Sequence, residues 1–383
     1  MEFGLGLMGY PGCWEDAAFA ERHGFSTAGF VDSPAIAGDP FACMAVAAQT
    51  TSTLRIGTLL NVPSLRSAPT TASGIAMINH LAPGRVFFGT GTGYTGRMPL
   101  GYRSPIAATK VRDYARSVRD LLAGEVSANR IGTQDMPIAL RYQDGLRVED
   151  AGEIPIYFAA EGPQALEAAG AVADGVISAL VGSSVMGNGP EVFAEKFAQL
   201  RSIGAGYGRN LDDAYMIFNN VICVLEPGES AISPRVLARC GPQALIAFHS
   251  YACNHELAAI LPPFIRDRIA IYEKEVLSRF DLPREQLYRE VHAGHLSYLL
   301  DGEAAVLTEE IIKATTMTGT AEEIVAKLTA LEAHGLKNAT FWAPRRSQRE
   351  MIVEVAEKIM PLMAENRATS GAAEALLGTG AGR

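Results

Sequence analysis

A chain of 383 residues with 48% hydrophobic and 20% charged side chains carries enough apolar material for a large core, which excludes global disorder. A net charge of −9 with no basic stripe excludes a nucleic-acid groove. Five cysteines (Cys13, Cys43, Cys223, Cys240, Cys253), without a CxxC spacing, fit reduced thiols in a cytoplasmic protein, and the start MEFGLGLMGY has neither a basic opening nor a long apolar core, so no signal peptide or membrane span is expected.

Short apolar runs alternate with helical patterns along the chain. Strands are expected at Phe3–Met8, Ser26–Val31, Arg55–Leu60, Val86–Gly89, Ile154–Ala160, Gly175–Val181, Ala214–Leu225 and Ala339–Ala343. Between them fall helices at Trp14–His23, Phe41–Thr51, Thr70–Leu81, Ala107–Leu122, Pro163–Val172 and Glu191–Ile203, then Ala321–Ala333 and Gln348–Leu362. Eight strands alternating with helices define a (β/α)8 TIM barrel; the rival, a doubly wound open sheet, lacks a GxGxxG after its first strand. The rhythm breaks over about 226–318, read as a largely helical insertion beside the seventh strand, at a place where insertions cover a site or supply a subunit contact. Residues 128–151 read as irregular. Residues 1–367 read as one domain, and the Gly/Ala-rich tail 368–383 as disordered.

The stretch Leu54–Gly93 reads as a βαβ crossover of parallel strands, because two short strands joined through a helix cannot pair by a tight turn. Its second strand ends in Gly89-Thr-Gly-Thr-Gly93, bare backbone at the carboxyl edge where parallel α/β folds place flat ligands. Further on, the strand ending at Ala160 turns through Glu161-Gly162-Pro163-Gln164 directly into a helix. Free N–H groups and the helix dipole at such a start bind phosphate, and Pro163 suits the first turn. Gly182 and Ser183, after the sixth strand, are second candidates for the same role. His292 and His295, in EVHAGHLSYLL, share one face if helical and suit acid–base work, with packing as the alternative and no accompanying ligands for a metal site. His249 and His255 are further candidates, while His23, His80 and His334 read as structural. Arg112, Tyr114 and Arg119 read as surface pairing on the fourth helix. Arg66 reads as an anion contact or a solvated loop residue.

The phrases IGTLLNVPSLRSAPTTAS, INHLAPGRVFFGTGTG, VRDYARSVRDLLAGE, IPIYFAAEGPQALEAAGAVADGVIS and GTAEEIVAKLTALEAHGL, in this order, resemble the bacterial luciferase-like superfamily of flavin and deazaflavin (F420) oxidoreductases. That resemblance implies a cofactor across the carboxyl ends of the strands. It implies a bulge or non-proline cis peptide at Leu59 and Leu60, with Asn61 beside them, and ring or ribityl contacts at Gly89, Thr90 and Thr92. It also implies the flavin phosphate at Ala160–Gln164. Two departures stand out: Tyr94 follows the glycine run where many relatives have an acidic or small residue, and Ser67 stands where many have histidine. Tyr94 is therefore a candidate substrate contact.

The function expected from this resemblance is a monooxygenase using reduced FMN and O2 on a small organic substrate. The reduced flavin comes from a separate reductase, since no nicotinamide motif is visible, and a homodimer is expected. The alternative is an F420-dependent dehydrogenase or reductase.

Overall fold

The computed structural model describes residues 1–102, 104–131, 133–143, 147–148, 152–178 and 190–368. Its strands are β1 (Glu2–Leu7), β2 (Thr27–Phe30), β3 (Arg55–Thr58), β4 (Val86–Thr90), β5 (Ser127–Ile131), β6 (Gln134–Ile138), β7 (Ile156–Ala159), β8 (Gly175–Ser178), β9 (Tyr215–Val224), β10 (Met317–Gly319) and β11 (Leu336–Trp342). Strands β1, β2, β3, β4, β7, β8, β9 and β11 pair in parallel in that order, and β11 returns to β1, closing an eight-stranded barrel. The expected (β/α)8 barrel is the observed fold, and each of the eight expected strands has its counterpart in the wall; residues 179–181 of the sixth lie outside the described residues.

Local chemistry explains the helices between them. Asp39 caps Pro40–Thr50 by accepting the N–H groups of Phe41 and Ala42 at 2.8 and 3.1 Å, with Pro40 in the first turn. Thr320 and Glu323 form a reciprocal capping box at the start of Ala321–Ala333. The outward side chains of the strands, among them Leu5, Phe30, Ile56, Phe88, Phe158 and Phe341, pack under these helices as the main core. Inward side chains form a smaller cluster of Leu59, Phe87, Tyr157, Ile177 and Ile217. Glycines thin the lumen: a Cβ on Gly29 would lie 2.4 Å from that of Leu59.

The segment between β9 and β10 is largely helical, as expected, but in short pieces: Pro234–Ala244, Ile246–Cys253, Pro263–Arg266, Ile269–Glu275, Tyr288–Val291 and Glu309–Thr315. Its own apolar core centres on Phe248 and Tyr272 and joins the barrel through Val221, Cys223 and Trp342. Arg239, 1% exposed, ties it to the last helical segment by ion pairs with Glu350 and Glu354.

Three expectations need correction. Part of 128–151, read as irregular, is the antiparallel β5–β6 hairpin. Strand β10 was not anticipated; three residues are too few for any periodicity to show, and it forms because β9 runs past the barrel wall and offers Ile222–Val224 as a partner edge. Tyr114 is not a surface residue: its hydroxyl meets Thr71 Oγ1 at 2.6 Å and donates to Asn61 Oδ1 at 3.0 Å. Arg119 does pair at the surface, with Asp174 at 2.8 Å. The Gly/Ala-rich tail beyond residue 368 lies outside the described residues.

Candidate active site

The third strand ends in Leu59 and Leu60, and the peptide bond between them is cis. The Leu59 side chain turns into the barrel lumen, whereas Leu60 is half-buried beside Gly91, where an added Cβ would come within 3.1 Å of it. The next residue, Asn61, is fully buried, and its polar atoms are engaged within the protein. Its amide donates to Asp32 Oδ2 at 2.9 Å and its carbonyl oxygen accepts from Tyr114. Thr90, also 0% exposed, donates to the Asn61 backbone carbonyl at 3.1 Å. Asn61 and Thr90 thus shape the floor rather than present side chains to a ligand. Gly89 packs against the Thr58 carbonyl, and Thr92 is half-buried, its carbonyl accepting from the Ile106 N–H at 3.0 Å.

Asp32, which sequence patterning did not mark, anchors this floor. Burial raises its carboxyl pKa, against the opposing pull of Arg66. Arg66 itself is engaged by Asp39 and lies over the Phe41 ring at 4.5 Å, so the anion contact considered for it is already made internally.

The turn after β7 has the anticipated form. Helix Pro163–Val172 starts at exposed Gly162 with no side-chain cap, and a Cβ at Gly162 would meet nothing within 4 Å. Ala160 is buried, while Pro163 and Gln164 are exposed. Glu161 is not an open contact: its carboxylate accepts from Lys196 Nζ at 2.6 Å and from Ser178 Oγ at 3.0 Å. Lys196, only 7% exposed, was not singled out in the sequence, because it lies thirty-five residues away on helix Pro190–Gly206. Gly182 and Ser183 lie outside the described residues.

Across the barrel mouth, a cavity of about 450 Å³ opens between the insertion and the loops after β1, β2, β4 and β11. Met8, Gly9 and Tyr10 come from the first loop, Ile36 from the second, Pro99 from the third and Arg345 from the last; Tyr288, His292 and His295 come from the insertion. The spacing of the two histidines predicts a shared helix face, but they do not have one. Helix Tyr288–Val291 ends at His292, and turns follow through Leu296, whose φ is 59°. The turns still bring the rings together, with centroids 4.9 Å apart, and add His249, 5.0 Å from His295. His292 Nδ1 lies 2.7 Å from the Tyr288 carbonyl oxygen. Burial and the neighbouring His249 hold the His292 pKa down at about 4, and burial depresses His295 well below the usual histidine range. His249 meets His295 through their Nδ1 atoms at 2.7 Å and Glu303 Oε1 through Nε2 at 2.8 Å. No group of side chains suited to a metal ion occurs among the described residues. His255 is not part of this cluster; it lies beside Arg284, 2.8 Å from its guanidinium.

Tyr94, half-buried after the glycine run, lies next to Ser250 on the helix that carries His249, and burial pushes its pKa up to about 12. Inside the lumen, β9 alternation puts Asn219 on the face of Ile217, one layer nearer the carboxyl mouth, and its Oδ1 is buried without a hydrogen-bond partner. The Asn219-Asn220 pair within the apolar strand was not singled out in the sequence.

A family model described as luciferase-like monooxygenase matches residues 14–338, and the chain belongs to that family. It therefore stands among the luciferase-like oxidoreductases. It is similar to a 5,10-methylenetetrahydromethanopterin reductase of Methanolobus tindarius, 32% identical over 164 residues, which span 42% of this chain and 48% of that one. The chain thus matches about half the length of this curated relative. Its fold resembles the coenzyme F420-dependent tetrahydromethanopterin reductase from Methanopyrus kandleri, with a TM-score of 0.66, 19% identity and coverage of 94% and 99% of the two chains. It also resembles an FMN-bound type II Baeyer–Villiger monooxygenase component from Pseudomonas putida, with a TM-score of 0.58, 13% identity and coverage of 94% and 98%.

Proposed function

We propose that this protein is a deazaflavin-dependent oxidoreductase that moves a hydride between F420 and a small organic substrate. The observation that carries the reading is His292. A carbonyl oxygen can only accept, so the 2.7 Å contact with Tyr288 puts the ring proton on Nδ1. With its pKa near 4 the ring is neutral at physiological pH, leaving Nε2 as a bare lone pair on a ring that lines the cavity. Oxidising an alcohol or amine by hydride removal requires such an acceptor for the O–H or N–H proton. An F420-dependent glucose-6-phosphate dehydrogenase among the relatives and the coenzyme F420-dependent reductase of like fold support the same choice.

The residues present fit the cofactor class. The uncapped start of Pro163–Val172 offers free backbone N–H groups and a positive dipole end to a phosphate. Leu60, Gly91 and the unpartnered Asn219 amide would bound a flat ring at the strand ends. When bound, F420 would supply a two-electron hydride acceptor or donor. The insertion would exclude water, and Arg345 and Tyr288 would border the substrate.

A second reading, an FMN monooxygenase fed by a separate reductase, is supported by the FMN-bound structural neighbour and by the covered mouth. Anaerobic titration of the protein with F420 and with FMN, oxidised and reduced, separates the two. Tighter binding of F420 supports hydride transfer; binding confined to reduced FMN supports the monooxygenase.

A further inference from the structure

Behind His292 lies a deeper part of the cluster, formed by Glu303, His249 and His295. Glu303 is 0% exposed, His249 1% and His295 3%, so no solvent proton can compensate a mismatched hydrogen bond among them. Glu303 Oε2 accepts the Leu300 N–H at 2.6 Å, and Oε1 faces His249 Nε2 at 2.8 Å. With Oε2 taken by the Leu300 N–H, Oε1 is set to accept from His249, which then carries its proton on Nε2. Its Nδ1 is then a bare acceptor and must receive the hydrogen from His295 Nδ1 across the 2.7 Å contact. His295 is left with a bare Nε2, and that atom is buried without a partner.

We propose that Glu303 and His249 are positioning residues that fix His295 as its Nδ1–H tautomer, so that its Nε2 joins that of His292 as a second proton acceptor at the substrate cavity. This deepens the hydride-transfer reading and rests on it for the identity of the donor, a substrate O–H or N–H. The tautomer itself does not depend on that reading. In the forward direction His295 Nε2 takes the substrate proton, forming an imidazolium. Its Nδ1–H stays bonded to His249, which the Glu303 carboxylate holds in place, so the imidazolium is stabilised through the chain without a proton reaching Glu303, and no oxidant beyond the cofactor is consumed.

The test is selective 15N labelling of histidine in the full chain, with long-range 15N–1H correlation spectra near neutral pH and resonances assigned by single substitutions. His292 and His295 are expected as Nδ1–H tautomers and His249 as Nε2–H. The discriminating variant is Glu303→Gln. The buried Leu300 N–H claims the new amide oxygen, so the NH2 faces His249 and donates to its Nε2. Both tautomers along the chain then invert, and His295 becomes Nε2–H while His292 is unchanged. Turnover in that variant is expected to fall at least tenfold in kcat with KM little altered, and a native-like thermal transition certifies its fold. An Nε2–H His295 in the wild-type protein overturns the proposal, as does a tautomer that ignores Glu303→Gln. If the tautomers are as stated but wild-type protein oxidises no alcohol or amine, the positioning role stands and the hydride-transfer reading fails.

Discussion

His249 and His295 meet nitrogen to nitrogen, Nδ1 to Nδ1, at 2.7 Å, and the two residues are forty-six positions apart in the chain. Only one of them can donate, so the contact couples their protonation, and through Glu303 it couples the centre of the insertion to the wall of the cavity.

His292 makes stability depend on pH. Its folded pKa of about 4 lies below the unfolded value near 6.5, so the folded state holds the ring neutral. The folded state gains nothing by protonation in this window while the unfolded state does. Stability from this group is therefore fully present above about pH 6.5 and is lost as pH falls toward 4, by roughly 3 kcal/mol for the whole shift. Chemical denaturation at pH 7.5 and pH 4.5 is expected to show a smaller acid loss in His292→Gln than in wild type. Equal slopes would mean His292 is not held neutral.

Glu161 places a carboxylate beside the helix start proposed to take a phosphate, and Lys196 offsets it. Glu161→Gln removes the like charge and is expected to tighten binding of a phosphate-bearing cofactor several-fold. Lys196→Met removes the ammonium that offsets the Glu161 carboxylate; it is expected to weaken that binding several-fold and to cost about 1–2 kcal/mol of stability. Equilibrium titration of both variants, with denaturation curves, checks the pair.

Two glycines should respond oppositely. A Cβ at Gly89 would lie 2.2 Å from the Thr58 carbonyl oxygen, a backbone atom that cannot move without disturbing the β3–β4 pairing. Gly89→Ala is expected to cost about 3 kcal/mol or to prevent folding. Gly162→Ala meets open space at φ −101° and should fold normally, changing stability by less than about 1 kcal/mol. Thermal melts of the two variants decide this.

Arg239 ties the insertion to the last helical segment through Glu350 and Glu354. Arg239→Met removes the closer of two arginine partners of Glu354, leaving Arg235 at 3.4 Å and the Val224 N–H at 3.2 Å, and is expected to destabilise by about 2 kcal/mol. Limited proteolysis should then cut first within the segment between β9 and β10.

The barrel was legible because each wall strand is a short apolar run bounded by turn residues, a pattern that depends only on neighbours in sequence. Leu59–Leu60, the glycine run and Pro163 were legible for a similar reason: each sits at a strand end, where resemblance and local chemistry agree. The Glu303–His249–His295 chain was not. Its members come from separate short pieces whose relative placement is set by packing around Phe248 and Tyr272, and no local spacing encodes that. His292 and His295 were found by their three-residue separation, yet the helix inferred from it ends at Val291 and the rings meet through turns instead. Asn61 looked like a ligand contact because of its place after the third strand; only the fold shows that Asp32 and Tyr114 already occupy it. Lys196 and Asn219 were silent, one as an ordinary helix lysine and the other as half of an Asn-Asn pair whose facing only the barrel reveals.

The most direct test of the central claim is anaerobic turnover of oxidised F420 with a panel of small alcohols and amines, comparing wild type with His292→Gln. Hydride transfer with His292 accepting the proton predicts loss of the deazaflavin absorbance without oxygen, at a rate independent of pH from about 5.5 upward because the ring is neutral there. In His292→Gln the rate should fall by about tenfold to a thousandfold. No deazaflavin reduction under any condition, with oxygen-dependent turnover of reduced FMN in its place, would contradict it.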